Sequence, residues 1–179
     1  VVGLTTVIDN PSGVSLNSSA TTITIGGDLI VEAGDLTVEL DNLVVDGAIT
    51  LVGGDINFIT TSATRTLTSN GSIDLNGGNL SVTSGTANAT LIINGDIIGN
   101  GGAFTFSGAN CNLTFGGSDD LSIDFPIDSP AILENITLSR ANNGSIVLPQ
   151  SVTVTNLVQI NEGSLIMNDD LTASNDITL

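Results

Sequence analysis

The chain has 179 residues, the length of a single domain, and its 40% hydrophobic content is sufficient for a core. It carries 19 Asp and Glu against 2 Lys and Arg, with no His, so its net charge is −17. Because affinity for nucleic-acid backbones comes from Lys and Arg, this balance excludes a nucleic-acid partner and disfavours an anionic membrane surface. No apolar run approaches the ~20 residues that a membrane-spanning helix requires, so membrane insertion is not expected.

Residues 1–22 precede a repeat that occupies the rest of the chain. They contain two candidate strands, residues 1–8 and Val14–Leu16, separated by a turn of sequence Asn-Pro-Ser-Gly at residues 10–13. We expect this segment to cap the first coil of residues 23–179, or to add a strand to a neighbouring molecule.

The repeat is visible in the spacing of glycine pairs. These pairs begin at residues 26, 53, 77 and 101, at intervals of 27, 24 and 24 residues. Cutting the chain at this period gives segments that all begin with Ile or Leu. The starts are Ile23, Ile49, Ile73, Ile97, Leu121, Ile146 and Leu171.

Within a segment, apolar residues alternate with polar ones, which is typical of strands with one buried face. In residues 73–96 the alternating pairs are Ile73/Leu75, Leu80/Val82 and Leu91/Ile93. Gly, Asn, Asp and Ser fill the gaps, and no window carries apolar residues at helical spacing, so almost no helix is expected. Stacking such units buries a face that one unit cannot bury alone.

We therefore predict an all-β fold, a parallel β-solenoid of about six coils of 24–26 residues, with three short strands per coil. An antiparallel β-sandwich is the alternative, because many short strands and frequent turns describe that class as well. A sandwich has no need of a 24-residue period, so the recurrence favours the solenoid.

The C-terminal third carries a resemblance to a known class of repeats. Residues 133–157 read LENITLSRANNGSIVLPQSVTVTNL, and residues 161–167 read NEGSLIM. This pattern resembles the β-solenoid repeats of secreted surface proteins and adhesins of the Bacteroidetes type. The resemblance implies export and an extracellular or cell-surface location.

The Gly-Gly-Asp strings at residues 26–28 and 53–55 raise the question of a calcium site. They lack the further glycine and aspartate of calcium-binding solenoid repeats, and they are interpreted as corners whose backbone needs glycine. The adjacent carboxylates Asp119 with Asp120, and Asp169 with Asp170, are weak candidates for a hard cation such as calcium. Solvated turn carboxylates are the simpler interpretation, so no metal or other cofactor is expected.

A polysaccharide-cleaving β-helix enzyme would need paired carboxylates, or a basic residue beside them. Candidate carboxylates are Asp74, Asp96, Asp119, Asp120 and Asp124. However, the chain has no Lys or His to move a proton near neutral pH, and no Trp or Tyr to stack on a sugar ring. We expect no catalytic residues and no enzymatic activity.

Several single residues carry further expectations. Cys111 is predicted to be a small buried apolar side chain, and Arg140 to pair with a nearby carboxylate such as Glu134. All five Phe residues are predicted to face the core: Phe58, Phe104, Phe106, Phe115 and Phe125. Thr-x-Thr strings at residues 22–24, 66–68 and 153–155 are assigned to different positions of the repeat, so a continuous threonine ladder suited to ice binding is not expected.

A parallel solenoid presents unpaired strand edges at its two ends, and such edges are templates for pairing. A head-to-tail contact that does not close into a ring propagates as a filament. We therefore expect a non-enzymatic extracellular structural protein, the subunit of a self-assembling filament or surface fibre. The residues expected to mediate end-to-end association are Val1, Val2, Leu4, Val7, Ile8, Leu171, Ile177 and Leu179.

Two other functions remain open at this point. The first is an adhesin or spacer module of a larger cell-surface protein, which could contact glycans or other surface proteins. The second is a carbohydrate-active β-helix enzyme.

Overall fold

A computed structural model describes residues 4–17, 22–99, 101–117, 122–128 and 131–179. Over these ranges the chain forms 22 strands and a single three-residue 3-10 helix, Ala141–Asn143. The strands build four sheets in which every pairing is parallel. The predicted parallel β-solenoid is confirmed, and the antiparallel β-sandwich is excluded.

The first two sheets contain five strands each. The first sheet comprises β1 (Thr6–Asp9), β4 (Leu29–Ala33), β7 (Ile49–Leu51), β10 (Ile73–Leu75) and β13 (Ile97–Gly99). The second sheet comprises β2 (Val14–Leu16), β5 (Leu36–Val38), β8 (Ile56–Ile59), β11 (Leu80–Thr83) and β14 (Phe104–Ser107).

The third sheet runs the length of the column, and a fourth covers its C-terminal part. The third sheet comprises β3 (Thr22–Ile25), β6 (Asn42–Val45), β9 (Arg65–Ser69), β12 (Ala89–Ile93), β15 (Cys111–Phe115), β17 (Ala131–Ser139), β19 (Val152–Glu162), β21 (Leu171–Ala173) and β22 (Asp176–Thr178). The fourth sheet comprises β16 (Ser122–Asp124), β18 (Ser145–Leu148) and β20 (Ser164–Met167).

The number and length of the coils differ from the prediction. Leu29, Ile49, Ile73 and Ile97 pair on successive rungs, 20, 24 and 24 residues apart, so the length of 24–26 residues is wrong for the earlier turn. The solenoid has about seven turns rather than about six. Residues 6–16 account for the difference, because β1 pairs with β4 and β2 with β5 as one more rung.

The C-terminal coils have a different cross-section from the N-terminal ones. There the second and third strands of a coil are joined in one long strand, β17 or β19. The register between them shifts after Leu133, where a bulge bends the strand around the corner. Three strands per coil therefore holds for the first five coils, and the following coils turn this corner within a strand.

The core is a column of apolar side chains that alternate along each strand and stack across rungs. Phe58, Phe104, Phe115 and Phe125 are fully buried, as predicted, whereas Phe106 is only partly buried. The ring of Phe125 stacks on Phe104 at a centroid distance of 4.4 Å and meets Phe115 edge-on at 5.0 Å. Within the described ranges, no helix is long and apolar enough to cross a lipid bilayer.

Candidate functional site

The glycine pairs mark corners of the coil, as predicted. Gly54, Gly78 and Gly102 stack on one another, and a Cβ at Gly78 would lie 2.2 Å from the carbonyl oxygen of Gly54. The residue that follows each pair binds the next rung: Asp55 Oδ1 accepts a hydrogen bond from the Asn79 N–H at 2.7 Å. Asn79 Oδ1 accepts one from the Ala103 N–H at 3.0 Å. These side chains satisfy backbone groups of the corner.

The string at residues 26–28 lies at a different corner. Gly27 belongs to a second glycine column with Gly47, Gly71 and Gly95, at the entrance to the first sheet. Asp28 Oδ1 accepts a hydrogen bond from the Ala48 N–H at 2.8 Å. The 27-residue interval between the first two glycine pairs therefore joins two different corners and is wrong as a coil length.

The acidic clusters form no metal site in the part of the chain that the structure describes. No group of three or more His, Cys, Asp and Glu side chains in these residues could hold a metal ion. Asp169 and Asp170 are exposed, and Asp169 Oδ1 accepts a hydrogen bond from the Asp170 N–H at 2.9 Å, as in an ordinary turn. Asp119 and Asp120 lie outside the described residues.

The carboxylates considered for catalysis lie on separate features. Asp74 is in the middle of β10, on the outer surface of the first sheet, whereas Asp96 lies at the corner before β13. Of Asp124, only the backbone within β16 is described. Arg65 begins β9 and donates a hydrogen bond to the carbonyl oxygen of Ile59. The two arginines follow different strands of the third sheet, three rungs apart.

Arg140 is fully buried, and its predicted pairing with Glu134 is wrong. Its Nη2 atom lies 3.8 Å from Asp96 Oδ1, and its Nη1 atom donates to the carbonyl oxygens of Gly95 at 3.4 Å and Gly116 at 3.1 Å. Nε and Nη2 make no hydrogen bond. The guanidinium thus fills the interior at a corner where two earlier coils expose backbone carbonyls, a contact that sequence distance conceals.

Cys111 is a buried free cysteine, as predicted. Its Sγ atom lies 3.3 Å from the carbonyl oxygen of Ser107 and 3.7 Å from that of Val82. Enclosed in this way, the thiol packs as a small core side chain.

The register also corrects the assignment of the Thr-x-Thr strings. Thr22 pairs with Asn42, and Asn42 pairs with Thr66, so residues 22–24 and 66–68 occupy the same position of the third sheet. The expectation of different positions is therefore wrong for these two strings. Only residues 153–155 differ, because Thr153 pairs with Ile132 on the earlier part of β17.

The two end rungs are the sites at which the core is incomplete. Inward-facing apolar residues there are only half-buried, since one neighbouring rung covers them. At the first rung these residues are Ile8, Val14, Leu16 and Ile23; at the last rung they are Leu165, Met167, Leu171 and Ala173.

The residues predicted to mediate assembly fall in three groups. Ile8 and Leu171 belong to the half-buried inward set. Leu4, Ile177 and Leu179 are 77%, 56% and 90% exposed, and Val7 is exposed on the outer surface of the first sheet. Val1 and Val2 lie outside the described residues.

Sequence reasoning missed the rest of the inward set at the ends. Val14, Leu16 and Ile23 at one end, with Leu165 and Met167 at the other, were assigned to strands without being assigned to the end surfaces. The signal that could have found them is the alternation within β2 and β20, once residues 6–16 are counted as a rung.

Comparisons with protein-family models, with curated proteins and with solved structures found no match to this chain. The fold defines the class of the protein, a parallel β-solenoid.

Proposed function

We propose that this chain is a non-enzymatic extracellular structural protein, the subunit of a filament in which the last rung of one copy stacks on the first rung of the next. The observation that carries the proposal is the half-buried state of the inward apolar residues at both end rungs. Burial of apolar area stabilises association at roughly 25 cal/mol per Å², and strand pairing adds main-chain hydrogen bonds.

The two end rungs match strand for strand. Each end has an inward pair on the first corner strand, with Leu165 and Met167 in β20 facing Thr6 and Ile8 in β1. Leu171 and Ala173 in β21 correspond to the inward pair of β2. Ile177 in β22 corresponds to the inward residue of β3. A parallel rung added in this register continues all three columns, and the contact is head-to-tail, so it propagates.

The second candidate is a spacer or adhesin module within a longer surface protein. The same half-covered rungs favour it, because the next rung could come from further coils of the same polypeptide. About seven turns at the ~4.8 Å strand spacing give a stiff column about 35 Å tall. The resemblance of residues 133–167 to repeats of bacterial surface proteins supports an extracellular setting for either candidate.

The filament is tested by a matched pair of substitutions in β2. Val14→Asp places a charge on the inward, half-buried side of the end rung, whereas Ser15→Asp places it on the adjacent outward side. We expect Val14→Asp to abolish assembly and Ser15→Asp to leave it intact, because a desolvated carboxylate opposes stacking. Sedimentation velocity and negative-stain microscopy measure the assembly, and circular dichroism confirms that both variants fold.

Two results would contradict the filament. One is a wild-type chain that stays monodisperse at high concentration, which would favour the spacer module. The other is Val14→Asp polymerising as well as Ser15→Asp, which would show that the end rungs are not the contact.

The acidic surface predicts a response of the filaments to divalent cations. A net charge of −17 keeps neighbouring filaments apart by repulsion, which ions screen. We expect calcium to cause lateral bundling, seen as a rise in light scattering. Scattering that stays constant up to millimolar calcium would contradict this expectation, and sodium chloride of equal ionic strength is the control.

A further inference from the structure

The outer surface of the third sheet carries two regular columns of side chains, called here the threonine face. On each strand the two columns are separated by one inward residue, so they lie two residues apart. The first column is Thr22, Asn42, Thr66, Thr90, Asn112 and Asn135; the second is Thr24, Val44, Thr68, Ile92, Thr114 and Thr137.

The threonine face is uncharged in a strongly acidic chain. Six successive rungs contribute twelve positions, and none of these is Asp, Glu or Arg, although the net charge is −17. Only two rungs further, at β22, does an aspartate, Asp176, enter the first column. The acidic residues are therefore excluded from one lateral surface of the column, and that surface cannot attract a charged ligand.

The threonine hydroxyls are available to an external ligand. Those of Thr66, Thr68, Thr90, Thr114 and Thr137 make no hydrogen bond to another described residue. The asparagines differ, because they bind one another along the column. Asn135 Nδ2 donates to Asn112 Oδ1 at 2.5 Å, and Asn156 Nδ2 donates to Asn135 Oδ1 at 2.8 Å.

The parallel register fixes the spacing of this array in two directions. Neighbouring rungs lie ~4.8 Å apart along the column, and residues two apart on a strand lie ~6.6 Å apart across it. Each threonine presents a hydroxyl and a methyl group, and Val44 keeps the methyl groups where the hydroxyl is missing. β-Branched side chains are stiff at χ1, so the array is held in place before any ligand arrives.

We propose that the threonine face binds ice. The oxygen atoms of an ice surface form rows with repeats of the same order in two directions. Hydroxyls on such a grid would hydrogen-bond to an ordered layer of water, and the methyl groups between them would favour water that is already structured. The absence of charge fits this ligand, because ions would orient the water around themselves. This inference concerns a lateral surface and does not depend on stacking of the end rungs.

A crystalline polysaccharide is the other regular surface that a flat array could meet. Sugar rings bind to proteins largely through exposed aromatic side chains, and the sequence has no Trp and no Tyr. Four of its five Phe side chains are fully buried in the core. Ice is therefore the ligand that the observations favour.

The test compares Thr90→Lys with Thr37→Lys. Thr90 lies at the centre of the threonine face, whereas Thr37 is an equally placed outward residue in the middle of β5 on the second sheet. We expect the wild-type chain to shape growing ice crystals and to show thermal hysteresis in a nanolitre osmometer. Thr90→Lys should lose most of this hysteresis, because a long charged side chain lifts the ice surface off the array, and Thr37→Lys should retain it.

Thermal denaturation of both variants establishes that they are folded. Unshaped ice and no hysteresis with millimolar wild-type protein would overturn the proposal, as would equal loss of activity in the two variants. Retention of the wild type on crystalline cellulose or chitin, without any effect on ice, would also overturn it and assign the face to a polysaccharide.

Discussion

Arg140→Ala is expected to lower the free energy of unfolding by about 3–5 kcal/mol, the range of large-to-small core substitutions. The side chain is fully buried, so its removal leaves a cavity at the corner that follows β17. The substitution also leaves the carbonyl oxygens of Gly95 and Gly116 without their donor, which adds to the cost.

Arg140→Met separates packing from charge. Methionine restores much of the volume, and it removes a cation whose ion pair with Asp96 is long, at 3.8 Å, and whose Nε and Nη2 atoms lack hydrogen bonds. Replacing such a poorly compensated buried charge by an apolar side chain is often neutral or stabilising, so we expect Arg140→Met to lie within about 1.5 kcal/mol of the wild type. Urea unfolding followed by circular dichroism measures both variants. Equal destabilisation of the two would show that the hydrogen bonds to the carbonyls, rather than packing, hold this corner.

Gly54→Ala is expected to lower the free energy of unfolding by about 3 kcal/mol, at the upper end of the cost of overpacking. A Cβ at this position would lie 2.0 Å from the carbonyl oxygen of Gly34 and 2.7 Å from Cγ1 of Val31. Because the first of these atoms belongs to the backbone of the rung below, the two rungs must separate to admit the methyl group. Separation breaks the register of the second sheet at β5 and β8.

The neighbouring glycine supplies the control for this substitution. A Cβ at Gly53 would meet one atom, the carbonyl oxygen of Glu32, at 3.0 Å. We expect Gly53→Ala to cost less than about 1 kcal/mol, since alanine also reduces the conformational entropy of the unfolded chain. Thermal denaturation should therefore show a much larger fall in Tm for Gly54→Ala. Similar melting temperatures for the two variants would contradict the close approach of the rungs at the corner.

The sequence predicted the fold class because its period and its alternation agree. The pairs Ile73/Leu75, Leu80/Val82 and Leu91/Ile93 all became strands of one coil. The coil length was predicted less well, because glycine occurs at two corners of each coil and the pair at residues 26–27 belongs to a different corner from the later pairs. A coil of 20 residues then follows where 24 was expected, and this error placed the two matching Thr-x-Thr strings at different positions.

Contacts between distant coils could not be predicted from local sequence. Arg140 meets Gly95, Gly116 and Asp96 because the column places successive coils on top of one another at a corner. Glu134, nearer in sequence, lies on β17 before the corner. At the end rungs, Ile8 and Leu171 could be predicted from strand patterns near the ends. Val14 and Met167 could not, because their exposure depends on the number of rungs that cover them.

The most direct measurement of the central claim is X-ray fibre diffraction, or cryo-electron microscopy, of assemblies of the wild-type chain. If end rungs stack in parallel register, the strands remain perpendicular to the filament axis from one copy to the next. A meridional repeat at ~4.8 Å that runs unbroken across subunit boundaries is then expected. Assemblies joined through their lateral surfaces, with the strand spacing interrupted between copies, would contradict it.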